Sequence, residues 1–196
     1  MATILTLTAN PLVDYLTIGR IAANTVNRIG HFSALAGGKG LNMGRVLARH
    51  GHRVIATGFA GGPEGDLLAS LTAADGMEPA FVTTAARTRI GFISIDSDGG
   101  GSTAVLEHGT PVTQAEMGSL MQRFRALLSG IDLVLVGGSV PHETCNGLYR
   151  QVLDQCAIAE VTCWVDSYGV VSAAADPSMP DMPTDAERSR GRYLHR

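Results

Sequence analysis

Apolar and polar residues alternate through "ATILTLT", and the run stops at Asn10-Pro11. The chain is therefore predicted to open on a β-strand closed by a turn. The same period of two predicts short strands at "YLTI" and "VNRIGHFSAL". The pattern then lengthens: "LNMGRVLARHG" reads as a helix with Gly51 just past its end. "RVIATGF" predicts a buried strand, and "GDLLASLTAADG" a short helix ending at Gly76. "RIGFISI" and "STAVLE" predict two strands joined through "DSDGGG" as a hairpin. The best-defined helix is "TQAEMGSLMQRFRALLSG". Thr113 and Glu116 stand at capping-box spacing; Met117, Leu120, Met121, Phe124, Leu127 and Leu128 share one face; Gly130 closes the helix. "DLVLVGG" is a near-continuous apolar run, the pattern of a strand covered on both faces. "TCNGLYRQVLDQC" predicts a helix, and "VTCWVD" a last strand.

Alternating β and α units of this length predict an α/β fold around a central, mostly parallel, doubly wound sheet. The strands at about 14–36 and 89–107 do not fit that sheet and are predicted to form a second, small sheet beside it, a lid. Ligands of open parallel sheets sit at the carboxyl ends of the strands. Those ends carry Asn10-Pro11, Gly58 ahead of "AGGPEGD", Gly137-Gly138-Ser139, and Asp166. An α/β domain with no site there would also place glycines in its βα turns.

Composition narrows the function classes. The 196 residues are 45% hydrophobic, enough for one sizeable core. A net charge of −3 gives no reason to expect nucleic acid or an anionic membrane as partner. No apolar run has bilayer length, and the N-terminal stretch lacks the basic region of a signal peptide. Cys145, Cys156 and Cys163 show no metal-ligand spacing; so sparse and odd a count fits a reducing cytoplasm and buried or inert thiols. The six histidines lack spacing such as His-x-x-x-His, so no metal is assigned.

The densest chemical signal is "SALAGGKGLN", Ser33 to Asn42. A P-loop requires Gly-x-x-x-x-Gly-Lys-Ser/Thr, but Ser33 occupies the first glycine position and Gly40 follows Lys39. Gly38, Gly40 and Gly44 are one residue too widely spaced for the dinucleotide fingerprint. The physical content survives both failures. Glycines opening a helix let a ligand approach the backbone. A helix N-terminus offers N–H groups to an anion. Lys39 adds a charge there, and Asn42, one turn in, can bond a ligand hydroxyl. The stretch suits a small polyhydroxylated anion better than a nucleotide.

At this point the chain resembles the PfkB-type sugar kinases of the ribokinase-like fold, in particular the branch of 1-phosphofructokinase and tagatose-6-phosphate kinase. The resemblance runs from residue 3 to about residue 176 through six motifs in order: "TLTANPLVDYLTI", "AGGKGLNMGRVLARHG", "GFAGGPEGDLL", "TRIGFISID", "LVLVGGSVP" and "VDSYG". It implies a three-layer fold with a β-sheet lid, of which this chain would be the N-terminal part. It implies ATP-dependent phosphorylation of a hexose phosphate, fructose 1-phosphate or tagatose 6-phosphate, with ATP and Mg²⁺ as cofactors. It further implies that Asp14 binds sugar hydroxyls, that Arg89 meets the sugar phosphate, and that Gly37, Gly38, Lys39, Asn42 and Ser139 complete the substrate site. A homodimer through the lid is a further expectation.

Each residue also has a bland reading. Asp14 could serve an Asx turn after Asn10-Pro11, Asn42 a helix cap, and Asp166 the cap of the following turn. Lys39 could be a solvated loop charge, Arg89 a surface strand residue, and Ser139 a turn residue.

The family's remaining machinery is an Asn-x-x-Glu motif for Mg²⁺ and a Gly-Ala-Gly-Asp turn with the catalytic Asp; neither occurs in this sequence, so no catalytic residue is assigned. From about residue 177, "PSMPDMPTDAERSRGRYLHR" loses the β/α rhythm and is expected to be a tail unrelated to the fold, the mark of a broken reading frame or of a short natural form. Two other readings stand beside the kinase: an inactive sugar-phosphate-binding fragment and, more distantly, a dinucleotide-binding oxidoreductase.

Overall fold

Strands and helices alternate through residues 1–98 and 100–167, the residues described in a computed structural model of the chain. In chain order they are β1 Thr3–Thr8, β2 Leu12–Ile18, β3 Ser33–Gly37, α1 Lys39–Arg49, β4 Arg53–Ala60 and α2 Gly62–Ala74. Next come two short strands, β5 Glu78–Pro79 and β6 Val82–Thr83, then β7 Arg89–Ile95, β8 Ser102–Leu106 and α3 Gln114–Leu127. β9 Leu133–Gly137, α4 Leu148–Ile158 and β10 Thr162–Asp166 follow. The expected tail at 177–196, and the end of "VDSYG", lie outside the described residues.

The main sheet runs β10-β9-β1-β4-β5, with β6 also paired to β4, and every pair in it is parallel. The lid runs β3-β2-β7-β8; β2 is antiparallel to β3 and parallel to β7, and β7 is antiparallel to β8. The expected mostly parallel sheet with a small second sheet is thus the observed architecture.

The alternation in β1 has a different cause from the one its pattern suggests. Thr6 and Thr8 are buried, like Leu5 and Leu7. β1 is an interior strand, paired to β4 on one edge and β9 on the other, and helices cover both of its faces. Leu5 and Leu7 pack with Leu120, Phe124, Leu148 and Val152 of α3 and α4. Ile4 packs with Leu41 of α1 and Leu68 of α2 on the opposite side. Each fully buried leucine contributes about 1.5–3 kcal/mol. Helices on both faces of a parallel sheet make the three layers.

Local signals set most boundaries. The Thr113 hydroxyl accepts from the Glu116 N–H while the Glu116 carboxylate accepts from Thr113, closing the expected capping box. Gly51, Gly76 and Gly130 adopt positive φ after α1, α2 and α3. Two expectations are corrected. "VNRIGHFSAL" forms a strand only from Ser33; residues 26–32 carry no strand, and Asn27 instead bonds Ala22 and Thr25 through its carboxamide. "TCNGLYRQVLDQC" is split: Glu143–Cys145 form one 3-10 turn, and the α-helix starts only after Gly147.

Candidate functional site

The glycine stretch lies where lid strand β3 hands over to α1. Gly38 is the N-cap at φ +123°, a conformation that L side chains rarely adopt, and no side chain caps the helix. The first turn of a helix presents N–H groups that its own carbonyls do not satisfy. A Cβ on Gly40 would stand 2.4 Å from the Thr8 hydroxyl and 2.9 Å from the Leu7 carbonyl oxygen. The helix start therefore rests directly on the carboxyl end of β1.

Asp14 is mid-strand in β2, so it serves no Asx turn. It sits between glycines on both neighbouring strands: a Cβ on Gly37 would come within 2.1 Å of its Oδ2, and one on Gly91 within 2.4 Å of its Oδ1. Asp14 Oδ1 is buried without a hydrogen-bond partner. Burial pushes the carboxyl above its ordinary value, and the guanidinium groups of Arg89 and Arg45 pull it back. The result is a desolvated acceptor in a positive field.

Arg89, first residue of β7, donates from Nη2 to the Asn10 carbonyl at 3.0 Å and from Nη1 to the Glu107 carbonyl at 2.9 Å. It is held across the base of the lid, not splayed on the surface. Asn10 in turn donates its carboxamide to the Ser139 hydroxyl at 3.2 Å, tying the β1 turn to the turn after β9. That second turn is fixed from behind by Tyr149, whose hydroxyl donates to the Gly138 and Ser139 carbonyls.

Lys39 is the first residue of α1, and its ammonium lies 3.1 Å from Asp166 Oδ1 at the end of β10. Asn42 is inside the helix, not its cap, and its side-chain oxygen accepts from Arg45 at 2.8 Å.

The predicted residues fall into linked groups: Asp14 beside Gly37, Arg89 through Asn10 to Ser139, and Gly38 with Lys39 and Asn42 on the α1 start; the charges of Arg89 and Arg45 act on Asp14, and Arg45 also bonds Asn42. Sequence reasoning missed Asn10 as a side chain, Arg45 and Gly91. A lone glycine inside a strand signals close approach, and Gly91 carried that signal. Nothing local marked Arg45. Among the described residues no group of three or more His, Cys, Asp or Glu could hold a metal ion, and no helix is long and apolar enough to cross a membrane.

The fold defines an α/β protein with a small second sheet beside its main parallel sheet. The family model for pfkB family carbohydrate kinases matches residues 7–180, and the chain belongs to that family. The structure is similar to that of a Thermotoga maritima protein described as a possible 1-phosphofructokinase, with a TM-score of 0.83 and 26% identity, covering 88% of this chain and 56% of that one. It is also similar to Escherichia coli phosphofructokinase-2 in complex with fructose-6-phosphate, with a TM-score of 0.81 and 27% identity, covering 89% and 58%. A tetrameric inhibited form of the same Escherichia coli protein gives a TM-score of 0.79 at 26% identity, covering 89% and 58%. The chain spans a little over half the length of each.

Proposed function

We propose that the cleft between the lid and the ends of β1 and β9 binds a hexose phosphate, fructose 1-phosphate or tagatose 6-phosphate, as the acceptor for phosphorylation by ATP. The observation that carries this reading is Asp14, whose buried Oδ1 has no partner while two arginines bias the carboxyl toward its charged form. An acceptor desolvated without a bond costs stability that a ligand hydroxyl would recover. In this reading Asp14 accepts from a sugar hydroxyl, and Arg89 meets the sugar phosphate. Lys39 and the α1 N–H groups beside Gly37 and Gly38 add positive potential. Asn42 bonds a further ligand oxygen, and Ser139 closes the rim. Support comes from family membership and from the Escherichia coli relative, which has been solved with fructose-6-phosphate.

ATP and Mg²⁺ belong to the same reading, and they would supply the phosphoryl group and its charge neutralisation. Among the described residues no group of three or more His, Cys, Asp or Glu could hold Mg²⁺. The 196 residues contain neither an Asn-x-x-Glu nor a Gly-Ala-Gly-Asp sequence, which favours a second reading: on their own they bind the sugar phosphate without turning it over.

We also propose a homodimer through the lid. Register places Ile18, Leu35, Ile95 and Leu106 on the same lid face as Asp14, and all four are exposed, Ile18 by 73%. Such a face fits a second copy of itself. Titration calorimetry with the two sugar phosphates, a coupled ADP-release assay and sedimentation test the three statements. Absence of binding, turnover matching that of full-length relatives, and a monomer at all concentrations would overturn them respectively.

A further inference from the structure

Arg45 lies in α1, three residues beyond Asn42, and its side chain is 15% exposed. Its guanidinium reaches three elements. Nε donates to Asp75 Oδ2 at 2.7 Å at the end of α2, Nη1 donates to Asn42 Oδ1 at 2.8 Å, and Nη2 donates to the Ala36 carbonyl in β3. Arginine has donors and no acceptor, so the Asn42 atom facing it must be the oxygen. The exposed Asn42 side chain is left with its NH₂ group for an outside acceptor.

We propose that Arg45 is a positioning residue that turns the Asn42 carboxamide so that the cleft presents a donor at Asn42 beside the acceptor at Asp14. This rests on the sugar-phosphate reading and adds a polarity to it: the ligand donates a hydroxyl at Asp14 and offers an oxygen lone pair at Asn42. Lysine cannot replace Arg45, because an ammonium lacks the planar fork that reaches three acceptors at once.

Two arms test this. In the first, fructose 1-phosphate and tagatose 6-phosphate are each titrated into wild type, Asn42→Asp, Asn42→Ala, Arg45→Met and the Asn42→Ala/Arg45→Met double variant. Asn42→Asp keeps the shape and the Arg45 contact but puts an oxygen where the NH₂ stood. It is expected to melt like wild type and to bind at least about tenfold more weakly, the scale of one hydrogen bond to a charged group. Arg45→Met is expected to weaken binding comparably on its own and by markedly less once Asn42 is alanine, the remainder being the Arg45 charge that acts on Asp14. Unchanged binding by Asn42→Asp, or additive losses in the double variant, would overturn the proposal. The second arm needs no ligand: in ¹⁵N–¹H spectra the Asn42 side-chain NH₂ pair should shift in Arg45→Lys and Arg45→Met. An Asn42 pair that ignores both substitutions overturns the positioning role. Wild type that fails to bind overturns the sugar-phosphate reading instead, and the second arm still decides on Arg45.

Discussion

Asp14 on β2 stands opposite Gly91 on β7, and the space a Cβ would take at Gly91 is occupied by the Asp14 carboxylate, 2.4 Å away. Leu106 and Leu12 side chains close the same space at 2.7 and 2.9 Å. Gly91→Ala should therefore displace the carboxylate and overpack the lid, costing about 1–3 kcal/mol. Thermal melts should show a lowered midpoint, and titration should show loss of sugar-phosphate binding. Wild-type values in both would mean that the carboxylate does not sit there.

Asp14→Asn separates stability from function. The folded carboxyl titrates above its ordinary value of 3.8, chiefly through burial. Its contribution to stability is therefore full below the ordinary value and is lost as pH rises through the raised one. At neutral pH the charged group is a net cost. Asp14→Asn should be at least as stable as wild type at pH 7, and its advantage should shrink by pH 4. Ligand affinity should fall sharply in the variant. In wild type it should weaken on acidification at a pH above the group's ordinary value of 3.8. A variant clearly less stable than wild type at pH 7 would contradict the sign.

The Lys39–Asp166 pair is 45% and 56% exposed. Pairs so open contribute about 0–1 kcal/mol. Lys39→Met should leave the melting midpoint nearly unchanged yet weaken sugar-phosphate affinity several-fold, with the difference growing at low ionic strength. A large stability loss without an affinity change would make Lys39 structural.

Thr113→Ala is the control away from the cleft. It removes the hydroxyl that accepts from Glu116, a cap worth about 1 kcal/mol. The midpoint should fall by about 2–4 °C, with affinity for the sugar phosphate unaltered.

The parts of the fold legible in the sequence were those set by nearby residues. The α3 capping box spans Thr113 to Glu116, and the glycine stops follow their own helices, so short windows sufficed. β1 was found but its burial was not, since nothing within "TILTLT" says that β4 and β9 flank it. The start of β3 was misplaced because the alternation runs on through residues 26–32, where the chain is loop, with Asn27 bonded back to Ala22. At the proposed site, Lys39 and Asn42 were legible as chemistry at a helix start, and Asp14 only through the family resemblance. What orients them was not: Arg45 meets Ala36 and Asp75, and Asp75 is thirty residues further along the chain.

The central claim is that this cleft reads a phosphate and a sugar hydroxyl together. Calorimetric titration of fructose 1-phosphate, tagatose 6-phosphate and unphosphorylated fructose into wild type, Asp14→Asn and Arg89→Ala tests it most directly. The account predicts that wild type binds at least one phosphosugar well ahead of fructose. Arg89→Ala should narrow that preference by about tenfold or more, the scale of a charge-assisted hydrogen bond, and Asp14→Asn should lower affinity for sugar and phosphosugar alike. Equal binding of phosphosugar and fructose by wild type, or a preference that Arg89→Ala leaves intact, would contradict it.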